Sequence, residues 1–207
     1  MGVVPGIGHF IGGEPSWGLL GLASIAFLAL FPLLKKVVGG HPWYLYIETF
    51  LFCTLAYDIG CVMRGFDRIP YIDKISHFLS GFLFTTLGFC LFLLQRRSHA
   101  SRVGSPLFTG VSYGVFFSSF VAVFWEICEF VGHLLFGSDF QHHLDTGVFD
   151  TMYDLITCFV GSLLCAASIL LYLKKKTRLP SGAVVHEFLQ VLTPGSKAGK
   201  TPDNPPV

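Results

Sequence analysis

Five apolar stretches, each close to the length of a bilayer crossing, constrain this chain more than any other feature. They run from about Ser16 to Leu34, Trp43 to Met63, Ser76 to Leu94, Leu107 to Val131 and Met152 to Leu173. A helix rising about 1.5 Å per residue needs roughly 20 residues to cross a hydrocarbon core about 30 Å thick. Backbone groups in lipid must find partners within the chain, and helices do this segment by segment. The alternative, a water-soluble fold of five such runs, would have almost no polar surface. Of the 207 residues 52% are hydrophobic and 13% charged, against about 25% charged in soluble domains. The expected fold is therefore all-α, a polytopic transmembrane bundle of about five spanning helices.

Lysine and arginine set the expected orientation. Lys35 and Lys36 follow the first stretch; Arg96, Arg97 and Arg102 follow the third; Lys174, Lys175, Lys176 and Arg178 follow the fifth. The opposite side carries Arg64, Arg68 and Lys74, and nothing basic joins stretches four and five. Cytoplasmic loops carry the basic excess, so the N-terminus is expected outside and the C-terminus in the cytoplasm. The N-terminus lacks a basic n-region, and its first apolar run is long enough to span, so no cleavable signal is expected. Residues 1–173 read as a transmembrane helical domain. Residues 174–207 change composition and end in PGSKAGKTPDNPPV, which reads as a disordered basic cytoplasmic tail. Within it, Ala183 to Leu192 has enough apolar residues for an interfacial turn of helix. The formal net charge of +1 argues against a nucleic-acid partner. All six cysteines lie in apolar runs without a CxxC spacing and read as packing residues.

Acids and histidines gather where three stretches should share one side. Asp73 and His77 are spaced i,i+4 at the start of the third. Glu126, Glu129 and His133 fall within roughly 60° of one another near the end of the fourth. Asp150 and Asp154 are spaced i,i+4 at the start of the fifth. Asp58 near the end of the second stretch joins the same layer, while Glu48 lies about 15 Å deeper by helical rise. An acid in hydrocarbon costs about 2.5–3.5 kcal/mol on insertion scales, so such groups are expected to be paired, protonated, metal-bound or water-facing. Asp73 and Asp150 can equally serve the first turns of their helices. Asp139, His142 and His143 are further loop candidates.

Carboxylates with one or two histidines suit Mg, Mn or Zn in a helix bundle. In that reading His77, Glu126, Asp150, Asp154 and His133 are the candidate ligands. The candidate catalytic residues are Glu126, Glu129, Asp73 and Asp154, with Glu129 or Asp73 as general base. The same inventory suits a proton relay. No HExxH or paired ExxH motif is present.

The segments YIDKISHFLSGFL, FWEICEF and DTGVFDTMYDLITCFVGSLL resemble the YjdF-like family of bacterial inner-membrane proteins. The matching positions are Asp73, His77 and Gly81; Trp125, Glu126 and Glu129; and Asp150, Asp154 and Gly161. DKISHF and DTMYDL are more distantly similar to VanZ-like proteins linked with glycopeptide resistance, although Glu129 stands where that pattern favours Gln. The resemblance covers about residues 45 to 170. It implies a multi-pass protein of the bacterial cytoplasmic membrane and supports this choice of residues, without implying a reaction. Three functions fit. One is a metal-dependent enzyme or resistance-type factor acting on a lipid or lipid-linked amphipathic envelope substrate. The others are a small proton-coupled transporter and a non-catalytic protein that binds membrane lipids or a partner.

Overall fold

The computed structural model describes residues 43–63, 65–98, 107–136, 143–177 and 179–192, with isolated positions 7, 8, 11, 32, 33, 35 and 36. The expected crossing from Ser16 to Leu34 lies almost wholly outside the described residues. The described chain is helical throughout, without strands. Helix α1 (Trp43–Phe52) runs directly into a π-helix (Cys53–Val62), and a short α2 (Gly65–Arg68) follows. Then come α3 (Ile72–Ser98), α4 (Leu107–Phe136), a short α5 (His143–Thr146), α6 (Phe149–Lys175) and α7 (Pro180–Leu192). Among the described residues four helices are long and apolar enough to cross a membrane: Trp43–Val62, Ile72–Gln95, Phe108–Leu135 and Phe149–Lys175.

Glycines set how closely these helices approach. A Cβ on Gly81 of α3 would sit 2.1 Å from the Cys158 carbonyl of α6, and one on Gly161 would sit 2.2 Å from the Phe78 carbonyl. Only bare backbone fits at that separation, the usual device for tight helix contact in membranes. The contacts Lys74–Asp154, Ser80–Cys158 and Thr86–Cys165 climb together along both helices, so α3 and α6 run parallel. Gly114 of α4 meets Thr85, while Ser118 meets Gly81, so α4 runs antiparallel to both. The N-terminal ends of α3 and α6 and the C-terminal end of α4 therefore share one side.

Large apolar side chains line the outer faces. Phe116, Phe120, Phe124, Ile127 and Leu134 of α4 and Ile156, Phe159, Leu163 and Leu164 of α6 are all exposed. In water a patch of this extent would drive association; in a bilayer it is the lipid-facing surface. The packed face of α4 is Gly114, Ser118, Ala122 and Glu126, one residue per four.

The hydrophobic core sits toward the other end. Leu45, Leu83, Phe89, Leu93, Val111, Ile169 and Tyr172 pack there against Val184, Val185 and Phe188 of α7. This differs from the expectation of a disordered tail from residue 174. Lys176 adopts a left-handed conformation (φ 57°) and ends α6, and Pro180 opens α7 at the position where its missing N–H costs nothing. The helix then docks against α6, α1 and α3. Tyr172 Oη pairs with His186 Nδ1 at 2.8 Å, and the Tyr44 N–H donates to Glu187 Oε2 at 3.0 Å. Residues 193–207 lie outside the described residues.

Candidate functional site

The turn Ile69–Tyr71 places the first turn of α3. Tyr71 takes a left-handed φ of 63°, and its carbonyl accepts from the Ile75 N–H at 3.0 Å. Asp73 thus falls in the first turn of α3 and Asp150 in the first turn of α6. Because α3 and α6 are parallel, both helix N-termini face this side, and their partial positive charges favour carboxylates there.

Lys74 ties the two helices together. Its Nζ lies 3.0 Å from Asp73 Oδ2, 2.5 Å from Asp150 Oδ1, and 2.7 and 2.8 Å from the two oxygens of Asp154. An ammonium has three N–H donors, and three carboxylates use them. Asp154 is only 2% exposed, so this compensation is what makes its burial tolerable. His77 stands beside the cluster, its Nε2 3.6 Å from Asp73 Oδ1 and 3.8 Å from Asp154 Oδ1.

Next to the cluster, the π-helix, α3 and α4, with Phe52 of α1 and Phe66 of α2, line a half-open cavity of about 290 Å³. One part of its wall is apolar, with Phe52, Ala56, Phe84, Val121 and Ala122; the other is polar, with Asp73, His77 and Glu129. The i→i+5 bonding of a π-helix widens the helix locally and often marks functional segments. Here it brings Cys53, Ala56, Tyr57 and Cys61 to the wall. Glu129 accepts from the Trp125 indole N–H at 2.8 Å. Ser76 and Ser80 also line the cavity, but their hydroxyls donate back to the Ile72 and His77 carbonyls, which leaves neither poised as a nucleophile.

The structure brings together only part of the predicted set. Ligand atoms of Asp73, His77 and Asp154 all lie within 4.8 Å of one another, so this trio could hold a metal ion. Asp150 joins them through Lys74. Glu129 faces the same cavity from α4. Glu126, 6% exposed, lies on the packed stripe of α4, neither lining the cavity nor joining the trio. His133 is half-buried in the last turn of α4 and is also outside the trio. Asp139, His142 and Arg64 lie outside the described residues, as does the side chain of His143. Lys74 is the central residue, which the sequence reading counted only among the basic residues of that side. The available signal was its place between Asp73 and His77, on the side where Asp150 and Asp154 begin α6.

The comparisons with known proteins fit this architecture. No curated protein and no solved structure matches the chain. The model of a family described as predicted membrane protein (DUF2238) matches residues 18–175, which contain all four described crossings and every residue of the site. The YjdF-like resemblance is consistent with that match. The chain is an integral membrane protein of the DUF2238 family.

Proposed function

We propose that this protein binds an amphipathic substrate of the bacterial cytoplasmic membrane, a lipid or lipid-linked envelope molecule, and catalyses proton-transfer chemistry on its polar end. The observation that carries this reading is the cavity: apolar along Phe52, Phe84 and Val121, with Asp73, His77 and Glu129 as its ionisable lining. A molecule with its chain among lipid tails and its reacting group at the headgroup level would enter it in one orientation. His77 is the general base and Asp73 orients its ring, a separation of 3.6 Å that substrate binding would tighten. Glu129 serves the opposite side of the substrate. The reaction that fits is hydrolysis: water adds to an ester carbonyl or phosphoryl group of the substrate, its proton passes to His77, and the bond to the leaving alcohol breaks as that alcohol takes up a proton. Lys74, Asp150 and Asp154 hold α3 and α6 in place beneath it. The basic loops favour a site on the outer leaflet.

A second reading is favoured by the close approach of Asp73, His77 and Asp154: a divalent ion, Mg, Mn or Zn, activating the water. It would have to share its carboxylates with Lys74. Purified protein incubated with lipid extract from a bacterial envelope, followed by mass spectrometry, tests both. The first reading expects turnover that His77→Ala abolishes at unchanged thermal stability and that chelation does not affect. Loss of turnover on chelation, with stoichiometric metal in elemental analysis, would establish the second. Turnover indifferent to both His77→Ala and Glu129→Gln would sink the site assignment.

A further inference from the structure

We infer that the cavity selects an amphipathic organic cation, a molecule with an ammonium head on an apolar chain. This rests on the reading of the cavity as an amphiphile site and specifies the charge of its occupant. The wall contributes the carboxyl groups of Asp73 and Glu129, while no lysine or arginine lines it among the described residues. Lys74 is next to Asp73 in sequence, but its three donors are turned to Asp73, Asp150 and Asp154. Among the described residues an anionic head would therefore meet two carboxyl groups and, of basic side chains, only the His77 imidazole. An ammonium meets the opposite.

The aromatic lining points the same way. Tyr57, Phe66 and Trp125 all contribute to the wall, and ring faces attract cations when the charge lies within about 6 Å of the centroid. Their positions are built in. The Phe66 ring lies where a side chain on Gly60 would be, its Cζ 2.3 Å from an ideal Cβ, so glycine at 60 is what admits the ring. The Trp125 indole N–H is bonded to Glu129 at 2.8 Å, which ties one ring and one carboxylate into a single unit. Acids that neutralise and rings that solvate an ammonium, opening into an apolar chamber, are the elements of a site for a lipophilic amine.

The test uses the whole protein in dodecyl maltoside micelles, with radiolabelled dodecyltrimethylammonium as probe and scintillation proximity as readout. Dodecyl phosphate, with the same chain and opposite head, is the competitor. The expected result is saturable retention that excess dodecyl phosphate does not displace. Retention should weaken by about tenfold in Glu129→Gln, as for loss of one charge–charge attraction near the protein surface, and also fall in Tyr57→Leu, a second variant in case the first folds poorly. Asp145→Asn, at an exposed acid of α5, should bind as wild type. Competition by dodecyl phosphate at equal concentration, lost in Val121→Phe, would overturn the cation assignment and leave the amphiphile cavity standing. Retention that Val121→Phe, Glu129→Gln and Tyr57→Leu all leave unchanged would overturn both.

Discussion

Lys74→Met removes one ammonium and keeps the length of the side chain, so it isolates the electrostatic link between α3 and α6. Breaking a buried ion pair from one side costs about 3–5 kcal/mol, because the remaining charge keeps its desolvation penalty. Not all of this network is buried. Side-chain exposures are 23% for Lys74, 28% for Asp73, 14% for Asp150 and 3% for Asp154. Only the Asp154 contact belongs to the buried class; the two partly solvated ones contribute up to about 1 kcal/mol each. The two N-terminal helix dipoles also continue to stabilise the orphaned acids. The low end of the range, about 3 kcal/mol, is therefore expected, a shift of roughly 150-fold in the folding equilibrium. Unfolding in mixed micelles of rising dodecyl sulfate fraction, followed by circular dichroism, measures it. Asp154→Asn supplies the second arm of a cycle. In the double variant neither charge remains to be stranded, so the combined loss should fall short of the sum by about 2 kcal/mol. A Lys74→Met protein within about 0.5 kcal/mol of wild type, the usual range for inert surface changes, would refute the network as a structural link. Strict additivity in the cycle would refute the Lys74–Asp154 pairing in particular.

Two further perturbations test the packing that presents the site. Gly161→Ala puts a methyl group 2.2 Å from the Phe78 carbonyl, and backbone cannot swing aside, so α3 and α6 must separate. A loss of about 2–3 kcal/mol is expected in the same unfolding assay, because Asp150 and Asp154 also move away from Lys74. Phe188→Ala empties a fully enclosed position of α7 and should cost about 3 kcal/mol while leaving amphiphile binding at the distant cavity intact. An unchanged unfolding midpoint would mean that α7 is not docked.

Hydropathy made the described crossings legible because a span of lipid-facing helix leaves a long apolar run whatever its neighbours are. It misjudged their ends. Helix α3 begins at Ile72, a turn before the expected Ser76, because its first turn carries Asp73 and Lys74, which are polar yet helical. The parallel course of α3 and α6 was also implicit, since successive crossings alternate in direction and one crossing, α4, lies between them. So was the presence of Asp73, His77 and Asp154 on one side.

The rest depended on rotation and partnership, which local patterning does not encode. Glu126 and Glu129 lie within one turn of each other. The contact of Gly114 with the Thr85 backbone fixes the roll of α4, sending Glu126 into the packed stripe and Glu129 to the cavity. Lys74 became the centre of the cluster because its partners Asp150 and Asp154 arrive from 76 and 80 residues away. The π-helix has no composition of its own; it is the form the end of the first described crossing takes against α3 and α2. Residues 180–192 are too short to signal more than an interfacial turn of helix, and they become a core helix only where α1, α3 and α6 leave a groove to fill. The sequence by itself determined a helical membrane bundle with acids on one side, because burial in lipid is a property of single segments. Which acids meet, which cation holds them and what cavity they face were decided by the tertiary structure, because each of those is a property of at least two helices at once.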